Sequence, residues 1–371
     1  MIQIVPVDPN DGLGLFIDFP HDLYKDDPNY VPEIYSSQLE LLTNYPVYGN
    51  SAVQYFLAYV GDTVVGRIAT FIKLYHSDKI GPIDGYFGFF DCIDNKVVAG
   101  YLFDAASRWL RDRNAVSIIG PLNFSCIGPL GMLVDGFQLP PSFMTPYNSH
   151  YYPNLMDRLG FKKKTEVQAY KFTNQQYGAR RSKDLDRFQV QLKRKGITFR
   201  KVDMKNFKRD VLMAREVYIG SQSNSIRVMS MKGNEFDHIA ERLKKILDPD
   251  LCILAEEEGK VIGFAFAIPD LNQILIKIRR GRLFPLGLLK IKLGKKKISS
   301  VRIIFPVVLD SCDRMSIEAC LFGSVQAGCL DKKLSFESSW TLKDNPLANN
   351  ALIPITGEPH KKFRLYLKDI E

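Results

Sequence analysis

The sequence predicts an α+β protein of the three-layer α/β/α type, laid out as two half-molecules in tandem, each a mixed central sheet flanked by helices. Length is the first reason: 371 residues suit two domains of about 150 to 190 residues, each large enough for its own core. Element order is the second, because the order β, α, α, β, β, β, α, β, α, β implies a mixed sheet with helices on both sides. The third is an internal echo. AYVGDTVVGRIATF in the first half and LAEEEGKVIGFAFAI in the second each read as an apolar strand, a short polar turn and a second strand entered through Val-Gly or Ile-Gly. A hydrophobic content of 46% against 25% charged residues supplies the apolar faces that such layers need. The domains are expected at residues 1–175 and 176–371, the second carrying a basic insert at 277–297.

In the first half Ile2 to Val7 reads as a strand, followed by a loop rich in Asp, Pro and Tyr through Tyr48. Gln54 to Tyr59 and Val64 to Phe71 form a hairpin across Gly61-Asp62. Tyr86 to Phe90 is a short aromatic strand. The next helix, Val97 to Arg113, is set by Val98, Leu102, Ala105 and Trp109, which step by four, three and four along one face. Ala115 to Ile119 is a strand stopped by Gly120-Pro121, and a Gly/Pro-rich structured loop follows. Tyr151 to Leu159 is a short helix ended by Gly160, and Val167 to Phe172 a strand. A polar joint from Thr173 to Asp186 leads to a helix at Arg187 to Arg194. The second half then reads as a strand at Ile197 to Val202, helices at Asn206 to Tyr218 and Phe236 to Leu247, and a hairpin of Cys252 to Glu256 with Val261 to Ala267. It closes with a strand at Val301 to Leu309, a helix at Ile317 to Leu330, and strands at Phe336 to Trp340 and Phe363 to Leu367.

Several function classes are excluded by what is missing. The chain has neither GxGxxG nor GxxxxGK[ST], which argues against dinucleotide or P-loop use. Its six cysteines sit mostly in apolar contexts with no CxxC pair or His cluster, so they read as reduced core thiols of a cytoplasmic protein, and no metal is expected. MIQIVPVDP reads as a strand and turn rather than a signal peptide, and no segment reaches the roughly 20 apolar residues that cross a bilayer.

Charge is concentrated in one place. Between Leu271 and Leu309 stand ten basic residues and no acidic one, and subtracting these ten from the net charge of +9 leaves −1. A basic segment on a near-neutral body suits a phosphate-bearing ligand, an acidic partner or an anionic membrane surface. It equally suits a solvated cover over the second half's apolar face. With a single Phe between Lys277 and Lys297, the insert is too poor in aromatic residues to stack nucleic-acid bases.

The phrase Tyr152-Pro-Asn-Leu-Met-Asp-Arg-Leu-Gly160-Phe161, ending in MDRLGF, together with the element order, resembles the GNAT acyltransferase superfamily. FPHDLYKDDPNYVP at Phe19 to Pro32, GYFGFFDCIDN at Gly85 to Asn95, IGPLNFS at Ile119 to Ser125 and ESSWTLKDN at Glu337 to Asn345 look like a bacterial family of tandem GNAT-like proteins, and this likeness spans nearly the whole chain. The resemblance implies acetyl-CoA or another acyl-CoA held where two parallel strands part, its pyrophosphate at the N-terminus of the following helix, and transfer of the acyl group to an amine. It also implies a layout like that of N-myristoyltransferases, in which one domain holds the cofactor and the other supplies a substrate wall. In the second half the cofactor-binding positions would be Val308, Ser311, Arg314 and Ser316, with Ser316 alternatively an N-cap. Catalytic candidates are Tyr147, His150, Tyr152 and Glu337. His150 reads alternatively as a surface or helix-cap group, and Glu337 as a rim carboxylate paired with Lys361 or Lys362.

Both expected pyrophosphate turns, Asp91 to Lys96 and Asp310 to Met315, lack glycine and carry two carboxylates, and Met156 stands four residues before Gly160, where many GNAT enzymes place a proton-donating Tyr. These departures support the alternative of a non-catalytic binding or scaffold protein built from two degenerate GNAT-like domains.

Overall fold

The computed structural model describes residues 1–48, 51–73, 83–124, 128–172, 183–221, 233–310, 313–342 and 359–370. In chain order the first half contains β1 (Ile2–Val7), α1 (Leu13–Leu23), α2 (Tyr35–Tyr48), β2 (Ser51–Val60), β3 (Thr63–Lys73), β4 (Ile83–Cys92), α3 (Lys96–Arg111), β5 (Ala115–Gly120), β6 (Met132–Asp135), α4 (Tyr152–Arg158), β7 (Lys162–Ala169) and β8 (Lys171–Phe172). The second half contains α5 (Lys183–Arg194), β9 (Ile197–Lys201), α6 (Phe207–Gly220), α7 (Gly233–Lys244), β10 (Cys252–Glu257), β11 (Lys260–Pro269), α8 (Asn272–Leu275), α9 (Gly287–Gly294), β12 (Ser300–Val308), α10 (Arg314–Asp331), β13 (Ser335–Ser338), β14 (Thr341–Leu342) and β15 (Lys361–Asp369).

Two compact units result, and they do not follow one cut in the chain. The first comprises residues 1–167, 272–296 and 361–371; the second comprises 168–271 and 297–360. In the first unit the strands run β1-β2-β3-β4-β5-β15-β7, with β6 also on β15. The final strand, expected to close the second half, instead lies antiparallel to β5, with Tyr366 opposite Gly120 and Asp369 opposite Ser117. Its Phe363, Leu365 and Tyr366 are buried there, so apolar burial fixes the exchange. The basic segment differs from expectation in the same way, since it packs on the first unit.

The sheet of the first unit is covered on both faces. Phe56 and Ala58 of β2 join the core under α3 and α4, while the alternate residue Tyr55 packs on Phe16 of α1 and donates its hydroxyl to the Leu42 carbonyl of α2. The stretch read as a loop through Tyr48 is therefore two helices. Leu13, Phe16, Ile17 and Pro20 fall at helical spacing and are buried, but Pro20 disguises the pattern. Proline cannot donate to the carbonyl four residues back, and here Arg67 Nη1 donates to the Phe16 carbonyl instead, at 2.6 Å.

The second unit repeats the plan in the order β8-β13-β12-β11-β10-β9. Leu192 of α5 and Ile317, Leu321 and Val325 of α10 cover one face, and Phe236 of α7 meets Phe264 of β11 on the other. The echo extends to a matching bulge. In β4 three steps from Asp91 to Gly88 oppose two on β3, and in β12 three steps from Val307 to Ile304 oppose two on β11. The small residues of α10 serve packing, because a side-chain carbon on Gly323 would overlap Leu185 and one on Gly328 would press on Leu251.

One glycine holds the basic segment in place. Gly281 has φ +62°, and a Cβ there would overlap the Glu33 carbonyl oxygen. Gly281→Ala is expected to lower stability by about 2 kcal/mol and to open the Lys/Arg-rich segment to trypsin, measured by thermal melting and limited proteolysis.

Candidate functional site

In the second unit two parallel strands part beside a buried charge cluster. The β12–β13 pairing runs from Ser300↔Ser335 to Ile303↔Ser338, and the Ser339 amide then donates to the Ile303 carbonyl at 2.7 Å. Beyond that point β12 continues to Val308 with no partner on this side among the described residues. Val301, Ile303 and Phe336 point into the core under α10, so by strand alternation Arg302 and its register partner Glu337 stand on the opposite face. Arg302 is wholly buried. Its Nη2 donates to Ser339 Oγ at 3.0 Å, and its guanidinium lies 4.7 Å from the Trp340 ring centre. Burial lowers its pKa to about 10, opposed by the Glu337 and Asp270 carboxylates, so it remains a cation near neutral pH.

Of the two lysines expected beside Glu337, Lys361 Nζ donates to the Pro140 carbonyl and Lys362 pairs with Asp135. Glu337 meets His360, whose Nε2 lies 2.9 Å from Oε2 while its Nδ1 lies 2.9 Å from the Ala169 carbonyl. A carbonyl only accepts, so Nδ1 must carry hydrogen. A neutral imidazole would then turn an Nε2 lone pair towards a carboxylate. The contact is attractive only with a proton between Nε2 and Oε2, on one atom or the other. Glu337 and His360 thus stand in hydrogen-bond contact beside the place where the strands part.

The positions expected to bind a cofactor lie at and beyond the end of the same strand. Val308 is buried opposite Gly263, and Ser311 falls outside the described residues, as do Ser125, Cys126 and Cys312. The helix α10 starts at Arg314, which places Ser316 inside its first turn rather than at the N-cap. Asp313 occupies the N-cap without a side-chain capping bond and pairs with Lys195 at 3.3 Å. Arg314 is held by its own neighbourhood, donating Nε to Glu318 at 2.6 Å and Nη1 to Asp310 at 3.0 Å. A donor phosphate would therefore meet backbone amides here more readily than the Arg314 guanidinium.

The corresponding place in the first unit is closed. Parallel β4–β5 pairing ends at Tyr86↔Ile119, after which the Leu122 amide donates to the Phe87 carbonyl and the Phe89 amide donates to Asn123 Oδ1, at 2.7 and 2.8 Å. The chain fills its own gap between the strands. At the N-terminus of α3, Asn95 accepts from the amides of Val97 and Val98. This end does not fit a pyrophosphate.

Tyr152 is buried in the same region. Its hydroxyl accepts from the Cys92 amide at 2.9 Å and lies 3.0 Å from the Tyr24 hydroxyl, which also reaches Asp91 Oδ1 at 3.0 Å. Arg67 donates Nε to Asp91 Oδ2 at 2.8 Å. Burial raises the Tyr24 and Tyr152 pKa values well above the phenolic range, which keeps both protonated. Tyr147 meets Tyr24 edge-on and donates to Asp27 at 2.6 Å, whereas His150 is exposed beside Tyr151. The structure thus brings Tyr147 and Tyr152 together, leaves His150 outside their network, and puts Glu337 in the other unit.

His21 adjoins this network through Nδ1, 2.9 Å from the Tyr30 hydroxyl. Burial lowers its pKa to about 4; Arg67 and Arg280 push the same way, and Asp18 and Asp22 oppose them. Because the folded value lies below the ordinary imidazole value of 6.5, its contribution is complete above that pH and is lost as the pH falls towards 4. Melting temperatures from pH 7 to pH 4.5 are expected to fall less steeply in His21→Gln than in the parent protein.

Sequence reasoning missed His360, Arg67, Asp91 and Tyr24, and counted Arg302 only as part of the basic run. The signals were present in FPHDLYKDDPNYVP, in the arginine between Val301 and Ile303, and in the histidine before Lys361. Among the described residues no group of three or more His, Cys, Asp or Glu side chains is arranged to hold a metal ion. Cys92, Cys252, Cys320 and Cys329 are buried thiols outside any disulfide. A cavity of about 510 Å³ lies between α5 and α10. Lys201, Lys332 and Arg200 on its edge are all ion-paired, to Asp250, Asp248 and Asp210 among others.

No family model matches the chain. It is 29% identical over 369 residues to Protein YghO of Escherichia coli K12, covering 96% of this chain and 93% of that protein. It is 27% identical over 381 residues to the bacterial ceramide synthase of Caulobacter vibrioides, covering 99% and 97%. Its fold matches the tandem GNAT protein from the clavulanic acid biosynthesis pathway with a TM-score of 0.58 at 11% identity, over 100% of this chain and 99% of that one.

Proposed function

Because the chain carries two GNAT-like folds in tandem, we propose that it joins an acyl group from a thioester to a long-chain amine, with the reacting centre in the second unit. The observation that carries this reading is the 2.9 Å contact between Glu337 Oε2 and His360 Nε2 where β12 and β13 part. Likeness along 99% of the chain to a protein named a ceramide synthase suggests the acceptor class, since a ceramide is a long-chain amine acylated on nitrogen.

Amide formation requires the amine nitrogen to attack the thioester carbonyl, the carbon–sulfur bond to break, and the thiolate to gain a proton while the nitrogen loses one. The Glu337–His360 pair suits both transfers. It delivers its shared proton to the leaving thiolate and recovers one from the acylated nitrogen, ending as it began. The Ala169 carbonyl orients the imidazole, and the Arg302 cation acts on the Glu337 carboxylate through its charge. An acyl-CoA is the donor proposed, its phosphates at the first-turn amides of α10, from Arg314 to Ser316, which no Asp313 side chain caps. CoA would supply the thiol leaving group.

The filled gap in the first unit favours a non-catalytic role for that unit. Purified protein incubated with acyl-CoAs from two to sixteen carbons and a sphingoid-type amine, with amide read by mass spectrometry and thiol release read by absorbance, tests the reading. Amide and stoichiometric thiol are expected for a long-chain pairing. Neither product with any pairing, and no heat on titrating the donors, would sink it in favour of a binding or scaffold protein.

A further inference from the structure

Two arginines of the basic segment are ion-paired: Arg280 with Asp22 and Arg282 with Asp18, and Arg282 also stacks on Tyr35 at 4.0 Å. Arg279, Lys290, Lys292, Lys295 and Lys296 are exposed, and Lys290 donates to the Lys277 carbonyl at 2.8 Å. Between them stands an apolar surface that nothing in the first unit covers. Phe284 is 84% exposed, Leu286 63%, Leu289 53% and Leu293 64%. The helix α9 turns Gly287 and Gly294 inward, onto Ile278 and Ile274, and at 3.6 residues per turn this puts Leu286, Leu289 and Leu293 within about 60° of one another on the outer side. Lys290 and Lys292 flank that stripe.

We propose that residues 283–296 dock the protein on an anionic lipid surface, with Phe284, Leu286, Leu289 and Leu293 entering the headgroup boundary and the lysines reaching lipid phosphates. The charge is complementary, because no carboxylate occurs between Leu271 and Leu309. Lysine is the discriminating residue. Protein interfaces are depleted in lysine and enriched in arginine and aromatic residues, whereas here Arg280 and Arg282 are ion-paired within the first unit and the lysines border an aliphatic stripe. A lysine can lay its long stem along apolar surface while its ammonium group stays in water, as an interfacial segment requires. Among the described residues no helix is long and apolar enough to cross a membrane, so the contact is with one face of the bilayer. It would bring a long-chain amine within reach, yet it stands apart from the transfer reaction: a protein that floats with vesicles and makes no amide sinks only the transfer.

Flotation of the full chain with phosphatidylcholine vesicles and with vesicles containing 30% phosphatidylglycerol (about a third anionic lipid, enough to set up the surface potential) is the test. Binding is expected to the anionic set alone and to weaken at high salt. Leu289→Gln with Leu293→Gln is expected to lower it by at least about tenfold, and so is the triple change of Lys292, Lys295 and Lys296 to Gln, with melting temperatures unchanged because these side chains are exposed. No flotation with either vesicle overturns the proposal and leaves an acidic protein as the partner. Equal binding to both vesicle types, or binding indifferent to the leucine changes, overturns it as well.

Discussion

Glu337→Gln is expected to cut amide formation by about 10² to 10⁴-fold while the protein stays folded. A glutamine keeps the size of the side chain and can still donate an amide hydrogen to His360 Nε2, so the local packing survives. What it cannot do is release the proton held at that contact. The loss should appear in kcat, with the donor KM nearly unchanged, because the phosphate-binding positions of α10 are untouched. A merely structural role for Glu337 predicts the opposite pattern, a lower melting temperature with a normal rate per folded molecule. His360→Gln provides the partner test and should remove the same limb of the pH–rate profile as Glu337→Gln. If Glu337→Gln turns over at the parental rate, the second unit is not the reacting centre.

Asp91→Ala in the first unit should destabilise the protein by about 3 to 5 kcal/mol, the cost of leaving a buried cation without its counter-ion. Arg67 and Asp91 face one another across β3 and β4 and are nearly excluded from water. The pair also repairs α1, because Arg67 supplies the Phe16 carbonyl with the donor that Pro20 lacks. Arg67→Met should therefore be partly rescued by Pro20→Ala, which gives that carbonyl a backbone partner worth about 1 kcal/mol. Urea titrations of the single and double variants measure both effects. Additivity of Arg67→Met and Pro20→Ala would show that the helix gap and the guanidinium are independent.

Repeats were legible from residues alone, and exchanges were not. Alternating apolar residues and the Val-Gly and Ile-Gly entries located both hairpins, and Val98, Leu102 and Ala105 located α3, since such periodicities depend only on neighbours in the chain. Helix α1 escaped because Pro20 and the acidic residues around it resemble a loop, and the compensating Arg67 lies 47 residues away. Strand β15 was recognised as a strand, but no local pattern tells which sheet it will join. Around the site, Glu337 was singled out without its contact to His360. Its link to His360 spans residues outside the described part of the chain, and spacing could not disclose it. Arg302 was counted with the surface charges because a basic residue in a basic run gives no sign of burial until the strand pairs.

The placement of β15 sets the order in which the protein can be completed during synthesis. Until residue 296 has been added the first unit lacks the segment at 272–296, and throughout the addition of residues 297–360 it still lacks the strand between β5 and β7. Its nascent sheet must wait with β5 exposed as an open edge, a template for wrong partners. The second unit needs nothing past residue 360 and can close first. Release of a chain stopped before Lys361 would then yield a finished second unit joined to an unfinished first one, a species prone to trade strands with its own copies.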